Sequence, residues 1–580
     1  MTRRAAWGST LLLTAAGLVM AGMARAEEPY SLVVRGGTIY DGSGGAPFVG
    51  DVAIRGDRIA AVASHVAGHA AREIDAAGLA VAPGFINMLA HPEETLLADG
   101  RAQSDLRQGV TLEVLGEDSM GPLTAEMKRL MEAREGDIKY KVDWTTLDHY
   151  LRGLETRGVS VNVASFVSAS TVRTNVLGEG DVQPTAEQLD RMRALVRAAM
   201  EDGALGVTTA LEYVPATFAK TPELIALAGE SGRCGGMYIA HIRNEGDRLL
   251  ESIDETIAIA KGSGAPAEIY HFKQAGRDNW GKLDAAITRI EDARAHGTRI
   301  TADMYVYVAS ATGLDVSMPP WVQDGGLETW IARLKDPAVR ARVAAEMDNP
   351  HPADWDNGYG AAGPEGILLL GFKTDRLKPL TGKTLADVAR MRGKTPEETA
   401  MDLVVEDGSR IEVAYFEMSE ANVRREVALP WMSFDSDAGA PSNEGVFLLS
   451  HDHPRAYGNF ARVLAKYVRD DKAMTLSDAI RRLSAFPAET LSLSDRGHLR
   501  VGDFADLVVF DPARIQDHAT FEKPNQYATG VTDVIVNGQL ALETGEPTAL
   551  RPGRVVRGRA VRTAEGGGCR ASSADWTWSR

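Results

Sequence analysis

The sequence predicts an α/β protein, a TIM-like (β/α)8 barrel with a small β-sandwich domain built from both chain ends. Three observations carry this expectation. Through the middle of the chain, short β-rich runs alternate with longer helical stretches, the pattern of βα units around a parallel sheet. Residues after about 27 instead alternate apolar and polar with turn residues between short strands. A matching strand pattern returns near the C-terminus, so that two distant segments can complete one sheet domain.

In chain order, residues 1–26 come first and read as a secretory signal peptide. Arg3 and Arg4 precede an apolar run from Ala5 to about Met23, and Ala24-Arg25-Ala26 gives a small-x-small cleavage pattern. The expected location is therefore exported, periplasmic or secreted. Residues 27–82 form the N-terminal part of the sandwich. Its strands are Ser31–Val34, Gly37–Tyr40 and Asp51–Ile54, with turns at Asp41–Gly45 and Arg55–Asp57. The barrel occupies 83–490. Eight β-rich runs are visible: Leu79–Phe85, Thr111–Leu115, Ser160–Val167, Gly203–Ala210, Gly236–Ala240, Ala267–Tyr270, Arg299–Met304 and Trp431–Phe434. Helical stretches such as Ala186–Met200 and Leu283–Ala295 separate them. The last gap exceeds one helix, so an inserted helical subregion or lid is expected over about 308–429, including Leu327–Met347. Residues 491–555 return to strand patterns at Asp506–Phe510 and Asp533–Gly538 and complete the sandwich. From Arg551 the chain turns basic and then rich in glycine and serine, and 556–580 reads as a flexible tail.

Composition bounds the function. The 580 residues are 44% hydrophobic and 25% charged, which suits a soluble globular chain with a large core. The formal charge of -17 repels polyanions, so nucleic acid is excluded as a partner, and no stable membrane insertion is expected after signal cleavage. Cys234 and Cys569 are the two cysteines. They form no disulfide framework and no thiolate zinc motif, and the sequence leaves open whether they pair. Any metal is then held by histidine and carboxylate.

In a (β/α)8 barrel, chemistry gathers at the C-terminal strand ends. His241 ends the fifth run and His271 the sixth, Glu117 and Asp118 follow the second, and Asp437 follows the eighth. Imidazole and carboxylate converging on one mouth suit zinc. Each residue also has a plainer reading. A histidine after a strand can simply pack, Asp437 can cap the next helix, and Glu117 with Asp118 can be a solvated loop pair. Two histidines at equivalent places on successive runs favour the metal.

Several of these residues carry a family resemblance. Ala82-Pro83-Gly84-Phe85-Ile86-Asn87 resembles the motif that precedes the first metal histidines of the amidohydrolase superfamily. His241-x-Arg243, His271-x-Lys273, Asp303-x-Tyr305-Val306-Tyr307, Ser436-Asp437, His453-Pro454-Arg455-Ala456-Tyr457-Gly458 and Ala505–Pro512 resemble its D-aminoacylase (N-acyl-D-amino-acid deacylase) branch. The match runs from about Tyr30 to Gly538. The chain departs from the branch at two places. Leu89 and His91 stand where the family has a His-x-His pair, and Glu117 or Asp118 stands near its cysteine ligand, with an acidic motif in some relatives favouring Glu117.

The resemblance implies hydrolysis of a C–N amide bond in a small-molecule substrate, an N-acyl (D-)amino acid, by zinc-activated water. His241, His271 and Glu117 or Asp118 would hold one tight zinc, with a weaker second site using His91 and Asp437. Asp437 would act as general base and acid. Tyr305 would stabilise the oxyanion, a role typically worth ~2.7–4 kcal/mol per donor. Lys273 would orient the metal ligands or the substrate. Arg455 would fork a substrate carboxylate unless a protein acid such as Asp452 claims it. Tyr213 and Arg243 would line the mouth. Alternatives on the same scaffold are a dipeptidase or an aryl or xenobiotic amidase. A non-catalytic binding protein on a decayed barrel is the alternative of another class. The oligomeric state is not legible.

Overall fold

The computed structural model describes residues 1–2, 30–561 and 569. The expected signal segment from residue 3 onward, and most of the expected tail, lie outside the described residues. The alternating N-terminal segment folds into β1 (Tyr30–Ile39), β2 (Phe48–Arg55), β3 (Arg58–Ala63), β4 (Ala70–Asp75) and β5 (Ala80–Pro83). The runs Ser31–Val34 and Gly37–Tyr40 are one strand, β1, with a register break between Val34 and Gly37. Gly36 takes φ 68° at that break, a left-handed value that glycine reaches without Cβ strain.

The first barrel run divides. Ala80–Pro83 belongs to β5, and the chain then enters the α/β region as β6 (Phe85–Asn87). Parallel strands follow in sequence: β7 (Val110–Leu115), β8 (Asn162–Ser165), β9 (Val167–Ser168), β10 (Gly206–Ala210), β11 (Met237–His241), β12 (Ala267–Ile269) and β13 (Ile300–Ala302). They form two parallel arcs, β6-β7-β8 and β9-β10-β11-β12-β13, parted only at Phe166. Their near-continuous apolar burial is that of parallel strands covered on both faces. The eighth run is not a strand. Met432 makes a single parallel bridge to Ala302, Ser433 N donates to Ala302 O at 2.9 Å, and Asp437 N donates to Leu89 O at 3.0 Å. The ring is thus not closed by a ladder. Pro430 offers no N–H just before the run, and Asp437, at φ 46°, ends the extended path.

Helices pack outside these arcs where the pattern placed them. Leu283–Ala295 matches its expected span, and Ala186–Asp202 extends the expected helix by two residues. The latter starts in a capping box between Thr185 and Gln188 and stops at left-handed Gly203.

The insertion is not purely helical. β14 (Ser310–Gly313), β15 (Ile367–Gly371) and β16 (Glu412–Tyr415) form an antiparallel sheet in the order β14-β16-β15. The helix expected over Leu327–Met347 breaks into Leu327–Arg333 and Pro337–Met347. Pro337 cannot continue the first helix, and it opens the second behind an Asp336 cap. Trp330, Leu369 and Val413 belong to the insertion's own hydrophobic core.

β17 (Leu507–Phe510), β18 (Val531–Val536), β19 (Gln539–Glu543) and β20 (Glu546–Pro547) return to the N-terminal strands. One nine-stranded sheet results, ordered β20-β19-β18-β17-β5-β1-β2-β3, with β4 also paired to β1. Leu507 and Val509 face the sheet's own core, whereas Val508 and Phe510 face the core of the α/β region. Asn537 and Gly538, both at positive φ, make the two-residue turn of the β18–β19 hairpin. The early part of the expected tail is ordered. Val163 N donates to Arg554 O and Val556 N to Val163 O, so residues around 555 run along β8. Cys234 and Cys569 form a disulfide.

Candidate metal centre

The strand ends of the parallel arcs open into one cavity of about 920 Å³. His241 is the last residue of β11, Glu117 lies two residues past β7, and His271 lies two past β12. His271 at φ 36° and Asp437 at φ 46° both hold left-handed backbone, strain of the kind that a surrounding structure retains at working sites.

Glu117 joins the histidines. Its Oε1 lies 3.3 Å from His241 Nδ1 and its Oε2 lies 3.2 Å from His91 Nε2. His91 Nε2 is also 3.1 Å from Asp437 Oδ1. The carboxylate therefore sits between two groups able to hold a cation, Glu117–His241–His271 and His91–Glu117–Asp437. A third group, Glu212–His241–Glu245, shares His241. Asp118 joins none of them and is exposed toward the cavity.

The outer nitrogens of the two buried histidines have polar partners. Glu212 Oε2 lies 2.8 Å from His241 Nε2. His271 Nδ1 lies 3.0 Å from Glu245 Oε1 and 2.7 Å from Lys273 Nζ. A carboxylate on the far ring nitrogen is the usual support of a metal-ligating histidine. Lys273 Nζ donates to both Glu245 oxygens, at 2.8 and 2.7 Å. Lys273 thus contacts both Glu245 and His271.

The electrostatics favour a cation. Burial works against the Glu117 charge, yet the imidazoles of His241 and His91 beside it hold its carboxyl well below the usual range. Burial likewise opposes charge on His91 and His241. The carboxylates beside them, Asp437 with Glu117 and Glu245 with Glu117, still raise both imidazoles well above their ordinary value. Burial and then Lys273 lower His271, so this imidazole stays neutral, the form that ligates a metal. Against its burial, Lys273 and His271 hold Glu245 down at about 2. Glu117 Oε1 is fully buried, and its contact with His241 Nδ1 at 3.3 Å is not a well-formed hydrogen bond. An orphaned carboxylate oxygen between imidazoles fits a divalent ion with nitrogen and oxygen ligands, zinc among them.

The remaining expected residues divide. Tyr305 lines the cavity, and its buried hydroxyl has no partner. Arg455 is not claimed by Asp452. Its Nη1 lies 2.8 Å from Asp437 Oδ2, Nη2 donates to Ala311 O at 3.2 Å, and buried Nε has no acceptor. Asp437 is therefore no helix cap. Burial opposes its charge, but Arg455 and then His271 hold its carboxyl far below the usual range. Tyr213 lines the cavity and sets its ring edge-on to His241 at 5.0 Å. Arg243 does not reach the cavity. Its guanidinium is spent on Glu255 at 2.9 and 3.0 Å and on the carbonyls of Thr217 and Ala219. His453 bonds Ala309 O and accepts from Arg455 N, ordering its loop.

Glu212 and Glu245 went unread as site residues. Glu212 follows β10 by two residues, the same offset as Glu117 and His271, so the strand-end rule could have found it. Arg410 and Glu412 also line the cavity, but they come from the insertion, where no sequence pattern marks them.

Comparison with known proteins adds a lineage. A family profile described as "Amidohydrolase family" matches residues 72–541. An N-acyl-D-glutamate deacylase of Alcaligenes xylosoxydans xylosoxydans is 31% identical over 531 residues, covering 92% of this chain and 97% of that protein. A D-aminoacylase structure, described by a binuclear metal centre with one-metal activation and second-metal attenuation, superposes with a TM-score of 0.75 at 30% identity. It covers 91% of this chain and 100% of that one. The N-acyl-D-glutamate deacylase of Bordetella bronchiseptica, solved with zinc and a phosphonate mimic of the tetrahedral intermediate, gives 0.75 at 28% identity over the same shares.

Proposed function

The chain belongs to the amidohydrolase family, and from that premise we propose that it hydrolyses the C–N amide bond of an N-acyl amino acid, with D configuration at the amino acid. Water adds to the acyl carbon, the C–N bond breaks, and a carboxylic acid and a free amino acid leave. The observation that carries the reading is Glu117 set between His91 and His241, with Asp437 and the free Tyr305 hydroxyl facing the same cavity. The relatives' deacylase activities support the substrate class.

Zinc held by Glu117, His241 and His271 would supply Lewis acidity toward a carbonyl and a source of hydroxide at neutral pH. The single orphaned Glu117 oxygen and the lost first histidine at Leu89 support one tight site, with His91 and Asp437 offering a weaker one. Asp437 stays a carboxylate across the working pH range and accepts a proton from water. Arg455 offers its free Nε edge to the substrate carboxylate. That contact draws the guanidinium from Asp437, raises the carboxylate's proton affinity, and favours delivery of the proton to the leaving nitrogen. The Tyr305 hydroxyl, held neutral by burial, donates to the developing oxyanion. Lys273 keeps His271 and Glu245 in register.

The same reading takes 83–490 as a (β/α)8 barrel and joins 27–82 to 491–555 as its sandwich. The two parallel arcs and the shared nine-stranded sheet support it. Export to the periplasm or medium is supported by the segment from Arg3 to Ala26 and by a disulfide that an oxidising compartment would keep.

Metal analysis of the purified protein, beside the His241→Ala/His271→Ala double variant, tests the reading with N-acetyl amino acids of both configurations. We expect about one zinc per chain, lost in the variant, with turnover confined to the D series. An inert, metal-free wild type after zinc is offered would refute the proposal. Asp437→Asn should lose turnover yet keep ligand affinity.

A further inference from the structure

One end of the cavity is apolar, and the reaction sketched above does not use it. Helix Ala125–Arg134 has no buried residue, although Met127, Leu130 and Met131 turn toward the cavity, joined by Met120, Leu123 and Ile138. Most ionic groups at this end are held by the protein, with Lys373 Nζ donating to the Ala133 carbonyl. Arg134 bonds Glu179 and Glu328, and Asp137 pairs with Lys378. A polar ligand group finds no free charge from either of them.

Position then names the occupant. Arg455, which takes the substrate carboxylate, rests on Asp437 at 2.8 Å, and Asp437 in turn reaches Glu117 through His91. The apolar wall follows β7 and begins at Met120, three residues past Glu117. An amide held at Glu117 with its amino-acid carboxylate on Arg455 directs its acyl group to that wall. We infer that the apolar wall binds the acyl chain, and that the enzyme prefers N-acyl amino acids with acyl groups much longer than acetyl. The inference rests on the deacylase reading and deepens it. A cavity of about 920 Å³ exceeds what an acetyl group requires, and it lies near the top of the ~300–1,000 Å³ range of small-molecule sites. Three methionines among the six apolar residues suit flexible chains of varying length.

The test is a kcat/KM series on the zinc-loaded full chain with N-acetyl, N-hexanoyl and N-dodecanoyl derivatives of one D-amino acid. A parallel series varies the amino-acid side chain at fixed acetyl. Wild type is compared with Leu130→Glu and with the near-isosteric Met131→Gln, which guards against a folding defect in the first. We expect kcat/KM to rise up to about fourfold for each methylene buried. The dodecanoyl-to-acetyl ratio should fall at least tenfold in Leu130→Glu and less in Met131→Gln. A flat or falling acyl series, or a ratio that neither variant moves, would overturn the inference while leaving the deacylase reading intact. A steep side-chain series with a flat acyl series would assign the wall to the amino acid instead, and would also overturn it. Turnover of no amide at all would remove the deacylase reading and this inference with it.

Discussion

Glu212 shows how much a single carboxylate can set. At 2.8 Å from His241 Nε2 it anchors the outer edge of the ring, and so turns Nδ1 toward Glu117. Glu212→Gln keeps the shape and weakens that hold, so zinc affinity should fall ~10–100-fold, as such supporting contacts typically command. Equilibrium dialysis against a zinc buffer reads this directly, and unchanged affinity would deny Glu212 the role. Glu426 tests the cost of a buried acid outside the cluster of Glu117 and the histidines. It is fully buried with Oε1 unpartnered, and burial pushes its carboxyl up to about 8. The folded state therefore binds this proton more tightly than the unfolded chain does. Its contribution to stability is whole below the ordinary carboxyl range and is lost as pH rises through about 8. The loss runs at about 1.4 kcal/mol per pH unit. Glu426→Gln should flatten that part of the stability profile in denaturant titrations between pH 5 and 8, and an unchanged profile would contradict the burial argument.

At the scale of elements, the segment after Arg551 behaves as part of the α/β region. Gly553 N donates to Val159 O, Val556 N to Val163 O and Gly558 N to Gly203 O, so the chain laces the segments that enter β8 and β10. With Cys234→Ala in both to remove the disulfide, a chain ending at 550 should melt roughly 5 °C below one ending at 561. Equal melting temperatures would mean these bonds add nothing net. Strand expectations fared best where both faces are buried. Thr111–Leu115 and Ala267–Tyr270 match β7 and β12 to within a residue, because a continuous apolar run bounded by polar residues has few alternatives. β14 to β16 were missed because they are short and β14 is only half-buried, which leaves little periodicity to read. The eighth run was misread for the opposite reason. Its residues are apolar and buried, but their backbone serves two diverging neighbours.

At the scale of the molecule, the cavity has walls from the parallel arcs, from the insertion and from helix Ala125–Arg134. Ties cross between the last two: Arg134 Nη2 to Glu328 at 2.8 Å, Lys373 Nζ to Ala133 O at 2.6 Å, and Lys378 Nζ to Asp137 at 2.5 Å. The pairs are partly exposed, so each is worth little for stability. Their consequence is positional. Glu328→Ala with Lys378→Ala should raise amide exchange over residues 125–137 and increase KM severalfold with little change in kcat. Unaltered exchange there would show that the ties do not hold the helix.

By itself the sequence determined the α/β class, the return of the C-terminal strands to the N-terminal ones, and the candidacy of His241, His271, Glu117 and Asp437. All of these follow from local chemistry: apolar runs that must be buried, turn residues that must bend, and acids and imidazoles at strand ends. Tertiary structure decided what depends on direction. It turned Glu117 rather than Asp118 toward the histidines, gave Arg455 to Asp437, spent Arg243 on Glu255, and brought Glu212 and Glu245 to the outer edges of His241 and His271. It also joined Cys234 to Cys569 across a separation of 335 residues. Such pairings link residues far apart in the chain. Their distances are set by how the strands and the insertion pack, and no local pattern encodes them.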